Sequence, residues 1–370
     1  ALMNLHPWDF YDTKSQPKPW TGEIITQLER VLDADAEHPG ANHYYIHMVA
    51  PSTTPERGLD AALRLEKLAP DAGHLLHAPA QIYMRLGLYH EATRANQRAV
   101  DADRRYLERS RPSSGLYLQG YVPHHHHALY ASSMMQGHRA NTLSAAGEVG
   151  QRMDLDLSRR PGYAAIQHYW VSSHFARVRF GRWAQVLAEP APPADLPYPT
   201  AIWHYARGMA MTRAGQLDNA DAELAWLAAI AVHPEMDRSS VWGLNSFSSI
   251  LNVAERVLAG ELAAAKKDYA TAIPALEQAL AAELALNYDE PAAWYFPVRQ
   301  SLGAVLLQAG RPREAQAVYE ADLQRNRENG WSLFGLASAL RAQNLPADEV
   351  DVRFERAWSH SDIRLSASRF

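Results

Sequence analysis

No cysteine occurs among the 370 residues. That excludes disulfides and thiolate metal sites, so any bound metal must rest on nitrogen and oxygen donors. It also removes the residue type that reports most directly on redox compartment. Long apolar runs are missing: no stretch of 18 exists, so no membrane span is expected. A basic surplus is missing too. With 36 Lys and Arg against 41 Asp and Glu, the net charge is −5, which speaks against a nucleic-acid-binding face. The patterns GxSxG, GxGxxG, HExxH and the P-loop are absent, and with them the motif-bearing nucleophile, dinucleotide, zinc-protease and phosphate sites. There is no initiator methionine, nor a basic segment followed by an apolar one. The opening Ala1-Leu2-Met3-Asn4-Leu5-His6-Pro7-Trp8 reads as a helix already under way, so earlier repeats are expected before it. The expected location is cytoplasmic, or periplasmic if a leader has been lost with those repeats.

What is present is a repeated helical pattern. A Leu-Gly-type turn, an aromatic or apolar residue and then small residues at helical spacing recur along the chain. Leu86-Gly87-Leu88-Tyr89 is followed by Ala92 and Ala99, and Ala309-Gly310-Arg311-Pro312 by Ala315 and Tyr319. Ala214-Gly215-Gln216-Leu217 leads to Ala220, and Asp268-Tyr269 to Ala272, Leu276 and Ala279. Weaker echoes stand at Gln136-Gly137-His138-Arg139 and Phe180-Gly181-Arg182-Trp183. Small residues at these places let paired helices approach, and apolar residues three and four apart make a buried stripe. The pattern is that of a tetratricopeptide-type solenoid of antiparallel helix pairs, all-α, with irregular and elongated repeats. Such irregularity is expected to fold the superhelix into a more closed body with internal cavities. Five prolines between Glu189 and Pro199 mark a linker. The expected division is 1–188 for histidine-bearing repeats, 189–199 for the linker and 200–370 for C-terminal repeats. Pro234 to Ser240 reads as a further loop.

The histidines are unevenly placed. His43 and His47 are four apart, His74 and His77 three apart, and His124 to His127 form an unbroken run. Spacings of three and four bring two imidazoles to one helix face. Imidazole suits zinc, iron or copper, and three such helices side by side would converge on one cavity. A single helical histidine is more often a surface or hydrogen-bonded core residue, so the weight rests on the three pairs together.

In the second half, Tyr288-Asp289-Glu290-Pro291 reads as a helix start at which Asp289 caps the N-terminus. Together with Trp294, Tyr295 and Arg299 it also reads as a pocket wall. Trp203, His204 and Glu255 lie on helices expected to face the same space.

These residues carry a resemblance. His38-Pro39-Gly40-Ala41-Asn42-His43-Tyr44-Tyr45-Ile46-His47 and Ala72-Gly73-His74-Leu75-Leu76-His77-Ala78-Pro79-Ala80-Gln81-Ile82-Tyr83 resemble a group of bacterial tetratricopeptide-repeat proteins. That group is distantly similar to the eukaryotic tetratricopeptide repeat protein 38 family. Asn4-Leu5-His6-Pro7-Trp8-Asp9, Tyr288 to Tyr295 and Glu328 to Leu336 match the same pattern, so the resemblance spans nearly the whole chain. It implies the fold, and further repeats toward the N-terminus, rather than an activity. One departure matters. The family pattern resembles His-x-Pro-Ser-His where this chain has His77-Ala78-Pro79-Ala80-Gln81. A site here then has one ligand fewer, or takes one from His124 to His127.

Three functional readings follow. In the first, a metal-dependent enzyme or metal-binding protein uses His43, His47, His74 and His77, with His124 and His127, as ligands of zinc, iron or copper. Glu255 or Asp289 then serves as base or oxygen ligand. The second is a non-catalytic scaffold holding a peptide or partner protein in a concave groove. The third is a metal-free small-molecule pocket in the solenoid interior, walled by Tyr44, Tyr45, Tyr83, Trp203, Trp294 and Tyr295. Gln81, His204, Tyr288, Glu290 and Arg299 complete the expected pocket.

Overall fold

At five of the six turns marked in the sequence, the chain reverses through a glycine with positive φ. Gly87, Gly137, Gly181, Gly215 and Gly310 have φ between +60° and +78°. In this region a Cβ would crowd the following carbonyl, so glycine ends the first helix of each pair most cheaply. At the sixth, Lys267 takes the left-handed conformation (φ +63°) before Asp268 caps the next helix through Thr271 N–H.

The computed structural model describes residues 2–112, 115, 117–160 and 162–370. Ala1, at the head of the helix expected to be under way, lies outside them. Leu2–Leu5 form a single helical turn. The described chain is an all-α array of antiparallel helix pairs. Pro79–Leu86 pairs with Tyr89–Ser110, Val122–Gln136 with Arg139–Arg152, and Pro197–Arg213 with Leu217–Ala231. Phe247–Ala265 pairs with Tyr269–Leu284, Val298–Gln308 with Pro312–Arg325, and Gly330–Ala342 with Asp348–Trp358. Helix lengths are irregular as expected, from four residues at Leu2–Leu5 to 22 at Tyr89–Ser110. Among the described residues the only strands are Ser240–Val241 and Asn245–Ser246, a short antiparallel pair. The segment expected as a loop from Pro234 to Ser240 instead begins with a helical turn, Pro234–Arg238, capped by His233.

Tyr89–Ser110 shows how sequence becomes packing. Ala92, Ala95, Ala99 and Ala102 are all but fully buried at intervals of three and four. They form one stripe that admits a neighbouring helix at close range. Asn96 and Asp103 lie on that same buried stripe, each 1% exposed. Two polar groups so placed need partners.

The array closes on itself. Trp331 is 1% exposed, and its indole N–H donates to the Met134 carbonyl at 3.2 Å. The Arg179 guanidinium, fully buried, lies 3.6 Å from the Trp331 ring centroid. The Asp362 carboxylate accepts the Arg139 and Ala140 amides (2.6 and 2.9 Å) at the start of Arg139–Arg152. The largest apolar cluster accordingly runs from Leu129 to Trp331, across the proline-rich stretch. Closure leaves a space between the histidine-bearing helices and the loop joining Tyr269–Leu284 to Val298–Gln308.

Candidate functional site

Three helices bring the histidines to that space. Pro39–Val49 starts with Pro39 in its first turn and is capped by His38 Nδ1, which accepts the Ala41 amide (3.2 Å). One turn apart on this helix, His43 and His47 place their Nε2 atoms 3.0 Å from each other. Gly73–His77 supplies His74 and His77, and Val122–Gln136 supplies His124 and His125. Ring nitrogens of His43, His47 and His74 all lie within 4.8 Å of one another. Beside them, His77 Nε2 and His124 Nε2 are 3.0 Å apart.

Groups behind them set the tautomers of His77, His125 and His74. His77 Nδ1–H donates to Asn96 Oδ1 (2.8 Å). The amide orientation of Asn96 is fixed, because its NH₂ donates to the Ala128 carbonyl and Ser132 Oγ (3.0 and 3.1 Å). His77 therefore turns a bare Nε2 toward His124. His125 Nδ1–H donates to Asp103 Oδ2 (2.6 Å), and Asp103 Oδ1 accepts the Tyr117 hydroxyl (2.6 Å). His125 Nε2 in turn faces His74 Nδ1 at 3.5 Å. This line from carboxylate to imidazole to imidazole leaves His74 Nε2 free for the cluster. Gly73 makes it possible: a Cβ there would sit 2.1 Å from Asp103 Oδ1.

Burial keeps His43, His47, His74, His77 and His124 neutral. It lowers His43 to about 4, and burial with the repulsion of neighbouring imidazoles lowers His74 to about 2 and His77 to about 3. His47 and His124 are lowered well below the usual imidazole value for the same reasons. Clustered, neutral imidazoles are in the form that ligates metal.

His47, His74 and His124 form one wall of a cavity of about 380 Å³. Tyr288, Asp289 and Glu290 form another, and Trp8, Tyr121, Tyr169 and Trp242 supply aromatic surface. A smaller cavity of about 160 Å³ adjoins it and shares Gln81, Tyr288, Asp289 and Glu290 as lining. Burial raises the Asp289 carboxyl to about 7. Burial, then the neighbouring Asp289, raises Glu290 to about 8, against the Tyr288 hydroxyl that donates to it. Gln81 Oε1 and Glu290 Oε2 are buried with no hydrogen-bond partner among the described residues.

Several expected site residues are elsewhere. His127 turns away from the cluster: its ring packs 4.7 Å from Tyr169 and 6.0 Å from His168. A run of four residues goes fully round the helix, and it is His124 and His125, adjacent rather than three apart, that face the other histidines. The Tyr45 hydroxyl is spent on Glu29 (2.9 Å) and that of Tyr83 on Glu66 (2.8 Å), and neither lines the cavities. Tyr44 is half exposed beside His43. His204 is paired with Glu223 (2.6 Å), Trp203 donates to the Glu189 carbonyl, and Glu255 on Phe247–Ala265 lines neither cavity. Tyr295 stacks on Phe175 in the core and shares a hydrogen bond with Tyr205, whereas Trp294 lines the smaller cavity. Arg299 lines neither cavity, and its charge lies near Glu283 and Asp322. Asp289 caps no helix: it sits in the connecting loop, and the next helix starts only at Val298. Asn96 and Asp103 were not anticipated, and His125 was expected only as one of the run His124 to His127. The available signal was a polar residue on an otherwise alanine-built stripe.

No protein-family model matches the chain, and no curated protein matches it in sequence. Two solved structures share parts of its course. One is described as Naa15/Naa10 bound to HypK-THB, at 15% identity and a TM-score of 0.26, covering 92% of this chain. The chain spans 40% of that protein's length. The other is yeast Tom70, at 11% identity and a TM-score of 0.29, covering 93% of this chain and 89% of the other. Superposition at these scores is loose, and the tetratricopeptide-like reading stands on the helix pairs and their glycine turns. No described helix is long and apolar enough to cross a membrane.

Proposed function

We propose that this chain is a metal-binding protein of tetratricopeptide-like fold, in which His43, His47 and His74 hold a transition-metal ion at the wall of a small-molecule cavity. The single observation that carries this is the convergence of three ring nitrogens, from two helices, within 4.8 Å. All-nitrogen donation suits zinc, iron or copper. Three protein ligands leave a position open to a bound molecule, as catalytic rather than structural sites do. Asp289 and Glu290 line the same cavity and stand at proton affinities suited to exchange near neutrality. The aromatic walls favour a planar, largely apolar ligand. We further place the chain among bacterial tetratricopeptide-repeat proteins distantly similar to the tetratricopeptide repeat protein 38 family, on the motifs that carry these histidines.

The test is elemental analysis of protein purified without a nickel column. At least one metal per chain is expected, lost in His43→Ala and His74→Ala variants that still fold. A content below about a tenth of an equivalent, with no uptake of added zinc, would overturn the reading. It would leave a repeat scaffold that binds a peptide or partner protein.

A further inference from the structure

We infer that the histidine cluster holds a second metal ion, bound between His77 and His124 with the Gln81 side-chain oxygen as third donor; this rests on the first ion at His43, His47 and His74.

The two Nε2 atoms of His77 and His124 are 3.0 Å apart. Metal–nitrogen bonds of about 2.0–2.1 Å with cis angles of 90–110° place ligand nitrogens about 2.9–3.4 Å apart. The separation therefore matches two ligands of one ion. It also matches the 3.0 Å between His43 and His47 Nε2 at the first position. The His77 side is unambiguous: Asn96 takes the Nδ1 proton, so Nε2 presents a lone pair.

Gln81 completes the set. It follows His77 by four residues along the continuing helical path through Pro79–Leu86, which brings it to the same side. It is buried, and its Oε1 has no hydrogen-bond partner among the described residues. A buried amide oxygen without a donor costs free energy unless something cationic or protic meets it. Gln81 lines both cavities together with Asp289 and Glu290, whose carboxyls, on giving up their protons, offset the charge of two cations in so enclosed a place. Two imidazoles and an amide oxygen bind transition metals less tightly than three imidazoles. The second ion is thus the weaker one. The His74 ring stands between the positions, 4.9 Å from the His43 ring and 6.2 Å from that of His124.

The competing arrangement is a plain hydrogen bond in which His124 Nε2–H donates to His77. Zinc titration of chelator-stripped full-length chain separates the two, with bound zinc measured after desalting. About two equivalents are expected in wild type and about one in His124→Ala. Gln81→His should retain two, with the second step tightened about tenfold or more by the third imidazole. Thermal unfolding of the metal-free variants checks that they fold, and the Gln81→His gain cannot come from misfolding. One equivalent in wild type, insensitive to His124→Ala but lost in His43→Ala, would overturn the second ion and leave the first. Two equivalents that His124→Ala does not reduce would also overturn it. No bound zinc at all would overturn both.

Discussion

Neutral, buried histidines give the stability of this protein a definite dependence on pH. His43, His74 and His77 have folded-state values of about 4, 2 and 3, below the 6.5 of an exposed ring, and His47 and His124 are lowered too. Below pH 6.5 the unfolded chain takes up protons that the folded one refuses, at up to about 1.4 kcal/mol per ring per pH unit. Their contribution is complete above about pH 6.5 and is lost as pH falls. The raised carboxyls act in the opposite sense. Burial lifts Glu283, Asp289 and Glu290 to about 7, 7 and 8, so their contribution is lost as pH rises from the ordinary carboxyl range and is gone once those values are passed. Urea midpoints of metal-free protein should therefore peak near pH 6.5, fall steeply toward pH 4.5 and gently toward pH 8.5. Glu283→Gln should remove a loss of up to a few kcal/mol that builds up between about pH 4.5 and 7, steepening the acid side and leaving the slope above about pH 7.5 unchanged. Behind the ligands, Asp103→Asn should weaken zinc binding about tenfold, read by chelator competition, because His125 and His74 lose their tautomer control. The histidine pairs were legible because helical spacing puts them on one face. Asp103 and Asn96 were not, because each meets its imidazole from a different helix and nothing in local spacing records that.

At the scale of the element, the turn glycines separate two costs. Gly215 has φ +74° and no atom within 4 Å of its would-be Cβ. Gly215→Ala should cost only the backbone strain, about 1 kcal/mol. Gly87 has the same backbone, but its Cβ would meet the Arg327 carbonyl oxygen at 2.1 Å, on a distant repeat. Gly87→Ala should cost at least twice as much, since a contact across the array must open as well. Calorimetry of the two variants under one buffer measures the difference. Sequence marked both turns equally, because both show the same local pattern. It misplaced the end of the Asp289 loop, where a proline after acidic residues imitates a helix start but the chain runs seven residues further before Val298 begins the helix.

For the whole molecule, the decisive contact is the one that closes the array. Trp331 packs against Arg179 and bonds to the Met134 carbonyl, joining the C-terminal repeats to the histidine-bearing ones. Trp331→Ala should cost about 3–5 kcal/mol through the cavity it leaves, and should also uncover a buried charge. If closure shapes the cavity, the variant should lose zinc affinity although it lies outside the ligand set; unchanged affinity would show that the histidine helices hold their geometry alone. The sequence by itself determined the helices, their turns and the faces carrying His43, His47, His74 and His77, because these follow from backbone conformation and a period of 3.6 residues. Only the tertiary structure decided that His124 and His125 join them while His127 does not. It alone set Asp289 and Glu290 on the same cavity, and gave Tyr45, Tyr83, His204 and Glu255 other places. Those outcomes depend on how far each helix is rotated and which distant repeat it meets, and packing of the closed array sets both.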